Sequence, residues 1–121
     1  MPSRVKQIGG GSGRENDPTV LILTSLASGA KHGYALLLDI EEFAGVRLGP
    51  GSLYGAIARL EERGLIEALV AQGRKRPYRL TAEGSTVLEV TLAGLRSIVE
   101  EGTARLLGQA RPGVTGSWGI A

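Results

Sequence analysis

Between Gly64 and Thr81 the apolar residues change their period, and that change constrains the fold more than any other feature of the chain. Ile66, Ala68 and Val70 alternate with Glu67 and Leu69, and further on Tyr78 and Leu80 flank Arg79. A period of two sends successive side chains to opposite faces of a strand. The stretch between the two runs, Gln72-Gly73-Arg74-Lys75-Arg76-Pro77, carries the glycine and proline of a tight connection. The segment therefore reads as a two-stranded hairpin with a basic tip. An isolated hairpin is at best marginally stable in water, so it must lean on the helices around it.

Those helices are signalled by residues three and four apart. Asp17 is an N-cap and Pro18 suits a first helical position. Val20, Leu21, Ile22, Leu23 and Leu26 then make a helix apolar on most sides, closed by Gly29. A second helix runs from Lys31 or His32 to about Ala44, with Tyr34, Leu37, Leu38 and Phe43 at helical spacing and Gly45 after its end. Val46-Arg47-Leu48 is long enough for one small strand at most. A third helix follows the Gly49-Pro50-Gly51 turn and runs to about Arg63, with Leu53, Ile57 and Leu60 on its inner side. Thr81 caps a long last helix over residues 82–107.

Three helices, a hairpin and a further helix, in that order, make a winged helix-turn-helix. The expected fold class is mostly α with a small β-hairpin, in which a winged helix-turn-helix domain precedes a long C-terminal dimerisation helix. The expected organisation is a flexible arm over residues 1–16, the winged domain over 17–81, the last helix over 82–107 and a loose tail over 108–121. The arm contains Gly9-Gly10-Gly11-Ser12-Gly13, which has no side chains to pack, and the tail contains Pro112, Gly113, Gly116 and Gly119.

With 121 residues the chain holds one small domain. It has no cysteine, which removes disulfides, cysteine-based zinc sites and thiol catalysis. With a single histidine, no P-loop and no dinucleotide-binding glycine motif, it is not expected to be an enzyme or to hold a metal or cofactor. Glu41 and Glu42, like Glu100 and Glu101, are adjacent on helices and read as solvated faces. No apolar run is long enough to cross a bilayer, and Arg4 and Lys6 are not followed by the apolar region of a signal peptide. A cytoplasmic location without membrane attachment is expected.

A net charge of +2 says little, but the basic residues are clustered. Arg74, Lys75 and Arg76 sit at the hairpin tip with Arg79 just beyond, and Arg59 and Arg63 stand one helical turn apart. With Leu53, Ile57 and Leu60 inward, Ser52, Gly55, Ala56, Arg59 and Arg63 lie on or near the outer side of the third helix. Small residues first and long basic ones later suit a helix end entering a major groove, and its backbone N–H groups favour phosphate. An arginine near a helix C-terminus also has the dipole to satisfy, and Tyr54 serves core packing or a phosphate equally well. Lys31 and His32 stand at the start of the second helix, where its N-terminus reaches the DNA backbone. His32 reads first as a capping or packing residue.

On the last helix Leu88, Leu92, Leu95, Val99, Gly102 and Leu106 follow spacings of 4, 3, 4, 3 and 4, the seam of a coiled coil. Leu88, Leu92, Leu95, Val99 and Leu106 are the expected dimer contacts. A two-fold dimer reads a pseudo-palindromic operator in double-stranded DNA, with half-sites separated by whole turns of about 10–10.5 base pairs. The other function class open to this fold is a winged-helix protein–protein assembly module with little DNA specificity.

Several of these segments together resemble one family. His32-Gly33-Tyr34 with Leu36 and Ile40, then Gly51-Ser52-Leu53-Tyr54 with Leu60-Glu61-Glu62-Arg63-Gly64-Leu65-Ile66, then Arg76-Pro77-Tyr78-Arg79-Leu80-Thr81-Ala82-Glu83-Gly84 resemble the PadR family of bacterial regulators in order and spacing. Pro77 departs from the family's usual aromatic or polar residue. The resemblance implies a homodimeric repressor whose last helix supplies the dimer contact. It carries no effector with it, because the small-molecule effector varies across the family.

Overall fold

The computed structural model describes residues 17–110. Its elements are α1 (Pro18–Leu26), β1 (Lys31–His32), α2 (Gly33–Ala44), α3 (Pro50–Glu62), β2 (Ile66–Ala68), β3 (Pro77–Leu80) and α4 (Ala82–Ala110). The expected arm, residues 1–16, and most of the expected tail, with Trp118, lie outside the described residues. The start of that tail does not: helix continues through residues 108–110.

Three of the four helices among the described residues begin where a side chain satisfies an orphan N–H group; α3 begins after Gly49 without a side-chain cap. The Asp17 carboxylate accepts from the Thr19 N–H at 2.9 Å, and Pro18 occupies the first turn of α1. That helix closes at Ala27, two residues before Gly29. Nδ1 of His32 accepts from the Ala35 N–H at 3.4 Å at the head of α2. The Thr81 hydroxyl accepts from the Gly84 N–H at 3.0 Å and donates to the Gly64 carbonyl at 2.7 Å. One side chain thus starts α4 and ties it to the end of α3.

Leu21, Ile22, Leu23 and Leu26 of α1 form the centre of the core. The inner face of α2 is Leu36 and Ile40, both fully buried, with Leu37 partly so. Of the other apolar residues at helical spacing on α2, Tyr34, Leu38 and Phe43 are exposed. Apolar character on three sides of α2 left two equally good helical stripes, and burial chose the one centred on Leu36 and Ile40. From α3 come Leu53, Ala56, Ile57 and Leu60, the i, i+3, i+4, i+7 pattern of one buried face.

The sheet has three antiparallel strands in the order β1-β3-β2, where two were expected. Lys31 pairs with Tyr78 and His32 with Pro77, while Ile66, Glu67 and Ala68 pair with Leu80, Arg79 and Tyr78. Val46-Arg47-Leu48 forms no strand; Val46 and Leu48 instead pack against the core from a loop.

The chain divides after Leu88 into two compact units. The first two turns of α4 belong to the first unit, where Gly84 and Leu88 are buried. In the second unit α4 continues with Ile98, Val99, Leu106 and Leu107 exposed.

Candidate nucleic-acid interface

The hairpin tip is a two-residue turn. Gln72 and Lys75 exchange both backbone hydrogen bonds, at 2.7 and 3.1 Å. Gly73 has φ +67° and no non-glycine residue has positive φ, the pattern of a type II′ turn, whose twist matches that of the strands it joins. Ladder pairing reaches Leu69, whose N–H donates to the Pro77 carbonyl at 2.8 Å. From there Val70 and Ala71 face Arg76 alone before Gln72 meets Lys75. Two residues against one is the count of a β-bulge between the ladder and the tip. Pro77 lacks an N–H, yet its carbonyl keeps its place in the ladder.

The wing tip and the start of α3 line one cleft of about 450 Å³, with His32, Gly33, Tyr34, Tyr54, Arg74, Lys75, Arg76 and Tyr78 around it. Gly33 lets the Tyr54 ring lie against the head of α2: a Cβ on it would overlap the Tyr54 hydroxyl and push that side chain aside. Burial raises the pKa of the Tyr78 hydroxyl above its usual phenolic value. The charge of Glu61 and the neighbouring Tyr54 add to that rise, and Arg76 opposes it. Tyr78 is therefore a neutral donor at physiological pH.

The cations of the described residues fall into two groups. Arg47 pairs with Glu41 at 2.8 Å, Arg79 with Glu67 at 2.6 Å and Arg105 with Glu101 at 2.7 Å. Lys31 donates to the Ser25 carbonyl at 2.6 Å and the Ser28 hydroxyl at 2.9 Å, with Asp39 at 4.0 Å. Among the described residues Arg59, Arg63, Arg74, Lys75, Arg76 and Arg96 have no ion pair and no side-chain hydrogen bond. Five of these six lie on α3, at its C-cap or on the wing.

Most of the residues singled out on α3 lie at its surface, but not all. Ser52, Tyr54, Arg59 and Arg63 are exposed and Gly55 is half-buried. The Arg59 guanidinium folds back along the helix over Gly55, 3.6 Å from where a Cβ would stand. Ala56 is 0% exposed, which corrects its placement on the outer side. It falls three residues after Leu53 and four before Leu60, on the face that meets the core. Lys31 is also not a free cation at the start of α2. Its side chain is only 19% exposed, because it closes off the carbonyl end of α1. Arg79 faces outward as expected, but with its charge already paired.

Of the expected dimer contacts, Leu88 is 6% exposed within its own unit, so it is a core residue. Leu92, Val99 and Leu106 are exposed and Leu95 is half-buried. The sequence reading places His32 at the head of α2 but does not bring Gly33 or Tyr34 beside the wing. The signal was β1: its pairing with Pro77 and Tyr78 brings the head of α2 beside the wing, but two residues are too few to show a strand period.

Among the described residues no three His, Cys, Asp or Glu side chains gather to hold a metal ion, and no helix is long and apolar enough to cross a membrane. The family model for the PadR-like transcriptional regulators matches residues 22–90. A PadR family transcription regulator from Clostridium difficile superposes with a TM-score of 0.67 at 26% identity, over 74% of this chain and 97% of that one. For a PadR family regulator from Eggerthella lenta the TM-score is 0.62 at 29% identity, over 74% and 80% of the two chains. Over 76 residues the chain is 53% identical to an uncharacterized 37.1 kDa protein in transposon TN4556 of Streptomyces fradiae, which is 63% of this chain and 22% of that protein. The chain thus spans about a fifth of the length of that relative.

Proposed function

The chain belongs to the PadR-like family of transcriptional regulators, and from that premise we propose that it is a homodimeric repressor that reads a pseudo-palindromic operator in double-stranded DNA. The observation that carries this reading is the cleft in which the wing tip and the start of α3 come together, rimmed by Arg74, Lys75 and Arg76, which have no counter-charge among the described residues. In this reading α3 enters the major groove with Ser52, Tyr54 and Gly55 leading. Arg59 reaches a guanine edge or a phosphate, and a bidentate guanine contact is worth about 1–3 kcal/mol of discrimination. Arg63 and the wing bases hold the flanking backbone. Leu92, Leu95, Val99 and Leu106 of two copies form the dimer seam, which sets the half-site spacing. The protein acts in the cytoplasm, where it represses by occupying the operator.

The test is binding of the full chain to duplex DNA from upstream of its own coding region, beside a scrambled duplex of the same composition. Tight, salt-sensitive binding that prefers the upstream duplex supports the reading. Equal binding to both duplexes, unchanged when Arg59, Arg74, Lys75 and Arg76 are replaced by alanine, would leave the assembly-module reading in its place.

A further inference from the structure

All three tyrosines of the chain, Tyr34, Tyr54 and Tyr78, line the same cleft. They come from α2, α3 and β3, so no single helix face or strand alternation brings them together. Core packing does not account for Tyr34 and Tyr54, which are 64% and 51% exposed; Tyr78 is half-buried and packs against the core. Among the described residues their hydroxyls make no hydrogen bond. His32 lines the cleft too. Its Nδ1 accepts from the Ala35 N–H, which leaves Nε2 as a further donor. No carboxylate lines the cleft; Glu61, felt by Tyr78, stands outside the lining. The cleft is therefore a concavity of neutral donors and aromatic faces, with positive charge at its wing side and no side-chain acceptor that cannot also donate.

We infer that this cleft seats a phosphodiester of the DNA backbone, with the hydroxyls of Tyr34, Tyr54 and Tyr78 donating to phosphate oxygens and the rings packing against the adjoining deoxyribose. The inference rests on the DNA-binding reading above and deepens it. It divides the interface into two kinds of phosphate contact. Wing cations release counterions on binding and so give salt-dependent affinity. Neutral hydroxyls release none, so their contribution persists as salt rises. Because they touch backbone and not base edges, it is also the same for every sequence.

The test is Tyr34→Phe with Tyr78→Phe in the full chain, which removes two hydroxyls and keeps both rings. Affinity for the upstream duplex and for the scrambled duplex is measured at several salt concentrations, and thermal melting checks the fold. A hydrogen bond to a charged group is worth about tenfold in affinity. The expected result is a loss of about tenfold per hydroxyl on both duplexes, with the log–log salt slope and the melting temperature of the parent. Parental affinity in the double variant overturns the inference and leaves the DNA-binding reading intact. So does a loss confined to one duplex, which would mean base readout. A parent that binds neither duplex overturns both. A cleft built for a free phosphate ester would show instead as thermal protection of the parent by a nucleoside monophosphate, lost in the variant, with DNA affinity unchanged; that result too overturns the inference.

Discussion

Replacing Arg74, Lys75 and Arg76 by alanine removes the three wing cations that have no partner among the described residues. Each phosphate neutralised by a cation contributes about 0.9 to the slope of log affinity against log salt on duplex DNA. Three such contacts contribute about 2.7, and the variant's slope is expected to be shallower by that amount. Between about 50 and 200 mM salt the parent then loses about fortyfold more affinity than the variant. The internal comparison is Arg79, whose charge is held by Glu67 at 2.6 Å. Replacing Arg79 and Glu67 together by alanine removes a neutral pair, and the slope is expected to stay at the parental value. Fluorescence anisotropy with a labelled duplex across a salt series measures all three proteins. Parallel lines for parent and wing variant would refute the assignment of the wing to phosphate. An equal drop in slope for the Arg79 and Glu67 variant would refute the division into paired and unpaired cations.

Three further predictions concern the scaffold. Leu36→Ala leaves a cavity beneath α2 and is expected to cost about 2–5 kcal/mol, whereas Phe43→Ala, at an exposed site, is expected to cost less than about 1 kcal/mol; chemical denaturation measures both, and equal losses would restore the Phe43 face as the buried one. Gly84→Ala sets a Cβ against the Leu65 carbonyl, which already accepts the Thr81 N–H at 3.1 Å, and is expected to cost about 1–3 kcal/mol, or several degrees of melting temperature; an unchanged melting curve would contradict the close approach. Val99→Glu with Leu106→Glu puts charge on the exposed stripe of α4 and, if the proposed dimer forms through that stripe, is expected to give monomers by sedimentation without shifting the far-ultraviolet helix signal; a persistent dimer would move the seam elsewhere.

The elements that follow from local chemistry were legible in the sequence. Asp17 and Pro18, His32, and Thr81 announce the heads of three helices, and each side chain makes the cap its residue type suggests. Alternation placed β2 and β3, and Gly73 the turn between them. What escaped was set by contacts distant in sequence. β1 exists only because Lys31 and His32 lie beside Pro77 and Tyr78, and its two residues have no period of their own. Ala56 looks like a small surface residue in a list of side chains, and only the completed Leu53, Ile57 and Leu60 face shows that it is covered. Leu88 opens a heptad that reads as one continuous seam, yet the core claims its first position. Lys31 looks like a free base until the carbonyl end of α1 is seen above it. The three tyrosines belong to separate motifs in the sequence and to one cleft in the fold.

The central claim is that two copies of this chain read a two-fold site through α3 and the wing. Selection of bound duplexes from a random-sequence pool by the purified full chain, followed by sequencing, tests it most directly. Enrichment of one motif with two inverted half-sites, centred a whole number of helical turns apart, is the predicted result. A pool that stays random after selection, or a motif with a single half-site, would contradict it.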